Sequence, residues 1–296
     1  MNINKYISRF AIFLFASFFL WACEKEITVE LPESEEKIVV EGWIENGQTA
    51  NVILSRNASY FAPINEASIN QMFNIDAVVK VKEVETGTEE VLIKTLNPLF
   101  IPPVLYKGTS LTGKNNHHYE LRIEIDGKVI TATAYIPDTV PLDSSYFMIE
   151  PVLDTLGPVF LMFQDPPAMG NYYRIFSKRL NKDNRFVPVW GSIYDDALFN
   201  GQYINYSFYR GLDNYATQPD DYSAADFHFT YGDTIVTRFT VLNKAHFDFW
   251  RSYENAYFSG GNPFASPATI FSNVNGALGI WGGYAAVYDT CVAVQR

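Results

Sequence analysis

Apolar and polar residues alternate along several stretches of the first half of the chain, which is the pattern of half-buried β-strands. Residues 77–82 and 119–125 place an apolar side chain at every second position, with mostly charged residues between them. Two-residue turn signals lie between such stretches, namely Asn46-Gly47, Thr86-Gly87 and Asp126-Gly127. Each predicted hairpin has one apolar and one polar face, so a second layer has to cover it.

The density of these strands predicts a β-sandwich of immunoglobulin-like type in the first half. About seven short strands fit into some 100 residues without a convincing amphipathic helix. The Cys-Trp-Cys signature of antibody domains is absent. Residues 137–143 are rich in proline and aspartate, which is typical of a linker. We therefore predict an immunoglobulin-like domain over residues 37–137 and a second domain over residues 138–296.

The second half predicts further antiparallel β-structure with one helix, so the expected fold class is all-β. Aromatic strands are predicted at 159–163, 172–176 and 202–209, between loops rich in Asp, Asn and Gly. A helix is predicted near 244–258, where Asn243 can serve as N-cap. Its aromatic stripe comprises His246, Phe249, Trp250, Tyr253 and Tyr257. We expect this stripe to dock on a sheet rather than to form a ligand platform.

The N-terminus carries an export pattern. Lys5 and Arg9 precede the apolar run Phe10–Ala22, which as a helix covers about 20 Å of a roughly 30 Å hydrocarbon core. The run is too short to span a membrane and is typical of a signal peptide. It ends in Leu20-Trp21-Ala22-Cys23, which resembles the bacterial lipobox, where the cysteine is acylated and becomes the first residue. We predict a signal peptide over residues 1–22 and a palmitate-type lipid anchor on Cys23.

The residues after the cysteine indicate a destination. Glu24, Lys25 and Glu26 resemble the surface-export signal of Bacteroidota lipoproteins, although Ile27 stands where a second acid is usual. We expect a lipid-anchored protein of the outer membrane that faces the cell exterior. Residues 23–36 are acidic and polar and are predicted to form a flexible tether.

Composition narrows the class of ligand. The net charge is −11 without a lysine or arginine cluster, which argues against nucleic acid as a partner. The chain has 23 Phe, 19 Tyr and 5 Trp residues, and such residues fill β cores or, when exposed, offer flat contact surfaces. With Cys23 acylated, no disulfide framework is expected. Cys291, beside Val292 and Val294, is predicted to be a buried thiol.

Exposed aromatic residues are the candidate recognition chemistry. The segment 190–209 combines aromatic side chains with Asp and Asn. Trp190, Tyr194 and Tyr203 are its predicted ligand-binding residues, because their rings have flat faces and polar edges that suit sugars, peptides or another protein. The alternative is that they belong to the core.

Metal sites and hydrolase motifs are not predicted. His117 and His118 are adjacent on a strand and point to opposite faces, so they do not easily chelate one ion. No HExxH or CxxC spacing occurs. No Gly-Xaa-Ser-Xaa-Gly turn for a serine nucleophile occurs either. We therefore expect no catalytic residue, no metal and no cofactor, and we do not expect an enzyme.

Two acidic pairs and one glycine-rich segment have weaker alternatives. Asp195-Asp196 and Asp220-Asp221 could be glycosidase carboxylates or a calcium loop, but we interpret them as solvated turns. Residues 276–284 contain four glycines without the lysine of a phosphate-binding loop. Close packing of a strand is the favoured interpretation of that segment.

Several motifs in a fixed order resemble one family. They are Val39–Ile44, Asp165-Pro166-Pro167 followed by Asn171–Arg174, and Gly261–Phe264 leading to Ser272–Gly279. Over residues 23–284 the chain resembles the Bacteroidota outer-membrane lipoproteins grouped as domain of unknown function family 4249. The resemblance implies a gene beside that of a TonB-dependent receptor, and hence an accessory in nutrient capture or uptake. It implies no functional residue except the acylated Cys23.

Two further functions remain open. A structural or adhesive surface lipoprotein would use the sandwich as a spacer and the aromatic half as a contact surface. A hydrolase is the third hypothesis, and the lack of a nucleophile with a matching base disfavours it.

Overall fold

The computed structural model describes residues 36–57, 65–97, 102–213, 221–259 and 269–294. The predicted signal peptide, the lipid-attachment residue Cys23 and the export signal Glu24, Lys25 and Glu26 lie outside the described residues, as does the tether up to residue 35. Within the described ranges the structure is mostly β, which confirms the predicted fold class.

The strands and helices are numbered in chain order. The strands are β1 (Ile38–Glu45), β2 (Thr49–Arg56), β3 (Val78–Glu83), β4 (Glu89–Val91), β5 (Ile93–Leu96), β6 (Val104–Thr112), β7 (His117–Ile125), β8 (Lys128–Ile136), β9 (Ser144–Phe147), β10 (Leu156–Gly157), β11 (Val159–Gln164), β12 (Tyr172–Arg179), β13 (Val187–Asp195), β14 (Tyr203–Phe208), β15 (Phe229–Thr230), β16 (Thr234–Leu242) and β17 (Leu278–Val292). The helices are α1 (Glu66–Phe73), α2 (Ala224–Phe227) and α3 (Lys244–Ser259).

The strands form four sheets. The largest has eight strands in the order β13-β12-β16-β17-β1-β2-β6-β5. A four-stranded sheet has the order β4-β3-β7-β8, a three-stranded sheet the order β14-β11-β9, and β10 pairs with β15. All neighbouring strands in these sheets are antiparallel except β1 and β17, which are parallel.

The predicted hairpins are present. The strands β1 and β2 pair across the Asn46-Gly47 turn, and β3 pairs with β4 across Thr86-Gly87. The strands β7 and β8 pair tightly, with Ile125 opposite Lys128. Between them Asp126 and Gly127 both have positive φ, 48° and 73°, which is what a two-residue turn of the primed type requires.

The long strand β17 joins the two predicted domains in one sheet. Its first half, Leu278–Tyr284, pairs in parallel with β1, and its second half, Ala285–Val292, pairs with β16. Residues from 36 onward form a single compact unit. The turn-rich segment at 137–143 therefore connects two parts of one continuous structure, because β17 returns to the first strand of the fold.

Glycines allow β17 to be covered closely on both faces. A Cβ at Gly282 would overlap the ring of His246 on α3, and a Cβ at Gly283 would overlap the Tyr135 carbonyl of β8. Gly279 has a φ of 114° and lies against the Val40 carbonyl. The interpretation of residues 276–284 as a closely packed strand is confirmed.

Trp281 links the large sheet to the four-stranded sheet. Its side chain is fully buried, and its indole Nε1 donates a hydrogen bond of 2.8 Å to the Tyr119 carbonyl of β7. Burying an indole without a partner for its N–H would cost free energy. The bond to Tyr119 removes this cost, so the large ring of Trp281 can pack against apolar neighbours in the core.

The predicted helix is α3, and Asn243 caps it. The Asn243 side-chain oxygen accepts a bond of 2.9 Å from the His246 amide, three residues into the helix. His246 and Phe249 of the aromatic stripe are buried, which confirms docking on the sheet, while Tyr257 is 55 % exposed. No helix in the described ranges is long and apolar enough to cross a membrane.

Two short helices, α1 and α2, are not predicted by the sequence pattern. Each is closed by a local capping box, with Asn65 and Ser68 at α1 and Ser223 and Asp226 at α2. Such local bonds stabilise helices of only eight and four residues without a long apolar stripe, so the periodicity that reveals α3 is missing.

Substituting Gly282 by alanine is expected to destabilise the fold by about 1 to 3 kcal/mol, because the added methyl group overlaps the buried His246 ring. Urea unfolding at neutral pH measures this loss. A double-mutant cycle supplies the control: in a His246→Ala background the same change should cost clearly less. Equal costs in both backgrounds would show that the close contact does not limit this position.

Candidate functional site

The three predicted ligand-binding residues lie in different environments. Trp190 and Tyr194 are on β13 of the eight-stranded sheet, whereas Tyr203 begins β14 of the three-stranded sheet. Tyr194 packs its ring edge-on against Tyr206, with centroids 4.7 Å apart. Burial and this neighbour raise the pKa of Tyr194. Tyr203 is half exposed. Trp190 lines a small cavity.

That cavity lies between β13, α3 and residues 211–212, and its volume is about 70 Å³. Pockets that enclose a drug-sized ligand usually measure about 300 to 1,000 Å³. The space therefore suits a small head group or a few water molecules rather than an entire large ligand.

The mouth of the cavity is aromatic. Trp190, Tyr257 and Phe258 line it and are 48 %, 55 % and 50 % exposed. The ring of Trp190 lies 5.1 Å from that of Phe258 and 5.3 Å from that of Phe227. We call the three lining residues Trp190, Tyr257 and Phe258 the aromatic rim. Half-exposed rings held by their neighbours offer a preformed apolar surface to a ligand.

Arg174 of β12 lines the interior of the cavity and is only 4 % exposed. Its Nη1 donates to the Tyr284 hydroxyl at 2.9 Å, and its Nε donates to the Ser192 hydroxyl at 3.3 Å. The guanidinium carbon lies 3.4 Å from the centroid of the Trp250 ring, a cation–π contact.

Glu254 of α3 lies on the other side of Ser192. Its Oε1 accepts bonds from the Ser192 amide at 3.1 Å and from the Ser192 hydroxyl at 2.5 Å. Glu254 also lines the cavity. One buried serine thus positions a guanidinium and a carboxylate beside the same small space.

A second buried arginine, Arg238 on β16, provides a comparison. It is 8 % exposed, and its Nη2 forms an ion pair with the buried carboxylate of Glu45. Glu45 also accepts a bond from the Tyr288 hydroxyl. Arg174 differs, since no carboxylate of the described residues lies within ion-pair distance of it.

His246 lies beneath the site and is neutral. It is 1 % exposed, and its Nδ1 lies 3.2 Å from the Gly283 carbonyl, so this nitrogen carries the proton. Burial lowers the pKa of His246 to about 3, with a further contribution from Arg174 and a smaller one from Arg238, against the opposing bond to Gly283. A neutral imidazole avoids placing a third cation beside the two arginines.

One interpretation of an acidic pair is wrong. Asp196 is 2 % exposed and does not lie in a solvated turn. Its carboxylate accepts bonds from the backbone amides of Gly170 and Asn171, which orders that loop. Asp195 forms an ion pair of 2.8 Å with Arg251. Asp221 is exposed, and Asp220 lies outside the described residues.

Each of the adjacent histidines contacts a different glutamate most closely, although His117 also lies 3.8 Å from Glu85. Nδ1 of His117 lies 2.6 Å from the buried Glu83, and Nδ1 of His118 lies 2.8 Å from Glu85. Across the described part of the chain, no three metal-ligating side chains cluster in a way that could hold an ion. The Cys291 side chain is buried, as predicted.

Arg174, Ser192 and Glu254 are not predicted as site residues from the sequence. A usable signal exists for Arg174, which is the single charge in the strand segment Tyr172–Phe176. Glu254 is likewise an acid within the aromatic helix. No local pattern shows that β12, β13 and α3 bring these side chains to one serine.

Comparison with known proteins identifies a family. The sequence profile described as domain of unknown function (DUF4249) matches residues 24–289. No curated protein matches the chain. The match covers the described structure almost completely, so the cleft and the buried arginines belong to the matched region.

The neutral state of His246 predicts a pH dependence. As pH falls below about 6.5, the histidine of the unfolded chain takes up a proton while the folded form stays neutral down to about 3. The free energy of unfolding should therefore fall with decreasing pH in this window, by up to about 1.4 kcal/mol per pH unit, and should not respond above it.

Urea unfolding of a His246→Asn variant tests this expectation. The stability deficit of the variant relative to the unmodified protein should be larger at neutral pH than at about pH 5, since only the histidine is penalised by acid. The comparison cancels other titrating groups that both proteins share. A deficit of the same size at both pH values would contradict a neutral His246.

Proposed function

The chain belongs to the family described as domain of unknown function DUF4249, and we propose that it is an outer-membrane lipoprotein that captures a nutrient for a TonB-dependent receptor. The observation that carries the binding role is the small cleft with an aromatic rim and a buried arginine. Cys23 supplies the membrane anchor, and residues 24–36 separate it from the folded unit. The Bacteroidota origin is part of the same proposal.

Acylation explains how a chain with this leader stays at a membrane. Each buried CH₂ of an acyl chain contributes roughly 0.8 kcal/mol, and one chain alone anchors only marginally. Several chains on Cys23 anchor stably. Glu24, Lys25 and Glu26 then direct the protein outward, where a nutrient is first met.

The geometry of the cleft supports binding better than hydrolysis. Ser192 is the hydroxyl nearest to a carboxylate there, but its side chain is fully buried and its hydroxyl donates to Glu254. The neighbouring His246 holds its proton on Nδ1 toward a backbone carbonyl and does not contact Ser192 by a hydrogen bond in the described structure. A fully buried serine that a substrate cannot reach is a positioning group, even though its hydroxyl donates to a carboxylate.

An adhesive surface protein is the second candidate function. Val91 on β4 and Ile93 and Leu96 on β5 are 55 %, 57 % and 66 % exposed. Both strands lie at sheet edges, where unpaired backbone groups and apolar side chains favour contact with a partner. This surface would serve a polymer or protein contact without a receptor.

Lipid attachment can be tested by replacing the sulfur atom of Cys23 with oxygen. A Cys23→Ser variant should incorporate no radiolabelled palmitate when expressed in its native host, because the hydroxyl does not replace the acylated thiol. Cys291→Ser is the matched control and should keep the label, since its side chain is buried in the fold. Labelling of the Cys23→Ser protein would contradict an anchor at this residue.

The receptor partnership is tested by affinity purification of the full lipidated chain from native outer membranes, followed by mass spectrometry. We expect a TonB-dependent receptor in stoichiometric amount. The Cys23→Ser protein, processed in parallel, controls for association after lysis. Recovery of the lipoprotein alone would overturn the receptor partnership and favour the adhesive role.

A further inference from the structure

We propose that the cavity between β13 and α3 binds the zwitterionic head group of a free α-amino acid. In this arrangement the carboxylate contacts Arg174, the ammonium group contacts Glu254, and an apolar side chain lies against the aromatic rim. The inference rests on the proposed function insofar as it names the class of nutrient that the lipoprotein captures.

The carboxylate position follows from Arg174, a buried guanidinium that lines the cavity. A buried cation is costly unless a counter-charge and hydrogen bonds satisfy it. The fold supplies Glu45 to Arg238 as a direct ion-pair partner, whereas Arg174 is connected to Glu254 only through the Ser192 hydroxyl. The hydrogen bonds of Arg174 run from Nε to Ser192 and from Nη1 to Tyr284, and both acceptors are uncharged hydroxyl groups. A ligand carboxylate would give this guanidinium a direct, charge-assisted acceptor.

The ammonium position follows from Glu254. Both bonds that its carboxylate accepts from the described residues go to Oε1. Its other oxygen, Oε2, is left for a donor that enters the cavity. A carboxylate oxygen beside an apolar rim prefers a charged donor, because the charge-assisted bond is stronger than a neutral one.

Ser192 sets the spacing between the two charged groups. Its hydroxyl oxygen lies 3.3 Å from Nε of Arg174 and 2.5 Å from Oε1 of Glu254. The two charges are therefore separated by a single hydroxyl group. An α-amino acid carries its carboxylate and ammonium groups on one carbon, so its charges have a short spacing of the same kind.

The dimensions fit a head group with its side chain outside. A volume of about 70 Å³ holds a few heavy atoms, while Trp190, Tyr257 and Phe258 remain half exposed at the mouth. Large apolar or aromatic side chains would cover these rings and remove their surface from water.

Other ligand classes satisfy the site less well. A neutral sugar offers Arg174 no charge-assisted hydrogen bond. A phosphate or a simple carboxylate compensates Arg174 but places its negative charge beside Glu254, which is unfavourable at short distance. Only a ligand that carries both a carboxylate and an ammonium group forms a favourable ion pair with Arg174 and with Glu254.

Isothermal titration calorimetry on the full chain in detergent tests the inference. The probes are L-phenylalanine and L-leucine, with 3-phenylpropionate and 2-phenylethylamine as analogues of phenylalanine that retain one charge each. We expect both amino acids to bind and each analogue to bind at least about tenfold more weakly than L-phenylalanine, because each loses one charge-assisted contact.

Three variants separate the contacts. Glu254→Gln should remove the preference for L-phenylalanine over 3-phenylpropionate, because the repelled carboxylate no longer meets a negative charge. Arg174→Gln should lose L-phenylalanine binding, and its urea unfolding midpoint shows whether it still folds. Arg251→Gln is the matched control on α3, since Arg251 is exposed and pairs with Asp195, and it should bind like the unmodified protein.

Several results would overturn the inference. They are the absence of heat with both amino acids at millimolar concentration, equal affinities for L-phenylalanine and 3-phenylpropionate, and an unchanged preference in Glu254→Gln. These results leave the receptor partnership standing, because that partnership is measured by co-purification. Conversely, the protein could bind amino acids although no receptor co-purifies with it. That result would support the amino-acid site and overturn only the receptor partnership.

Discussion

The rest of the fold depends on how closely two neighbours approach the glycines of β17. The His246 ring of α3 packs against Gly282, and the Tyr135 carbonyl of β8 packs against Gly283. Strand β17 pairs with β1 along its first half and with β16 along its second half. It is also covered by α3 on one face and by β8 on the other, where Gly282 and Gly283 leave no room for a side chain. A bulkier strand would separate the layers, and the buried cores on both faces would lose their contacts.

The same constraint positions the candidate site. His246 of α3 lies directly on Gly282, which holds the first part of the helix against the sheet. Glu254 follows eight residues later, about two helical turns along, and lies beside Ser192 of β13. Tyr257 and Phe258 come from the next turn and complete the rim with Trp190. The cleft therefore depends on how closely α3 packs, although no glycine of β17 lines it.

The limits of sequence reasoning follow from the same geometry. Local signals predicted the Asp126-Gly127 turn and the Asn243 cap, because turn and cap chemistry act within a few residues. The parallel pairing of Val39 with Leu278 joins distant parts of the chain, and no periodicity encodes such a partner. The aromatic composition of the segment 190–209 points to Trp190, which stays a prediction, whereas Arg174 enters the candidate site only once it is known which strand lies beneath α3.

The two buried arginines show why the site is not simply part of the core. Both lie on aromatic rings beneath α3, and Arg174 and Arg238 each contact Phe176. The charge of Arg238 is neutralised within the fold by Glu45, so its desolvation is offset by a fixed partner. Arg174 has only hydroxyl and ring neighbours at bonding distance, and it borders a cavity. Its nearest counter-charge, Glu254, is reached only through the Ser192 hydroxyl and lines the same cavity, so both charged groups are placed where a ligand from outside can contact them.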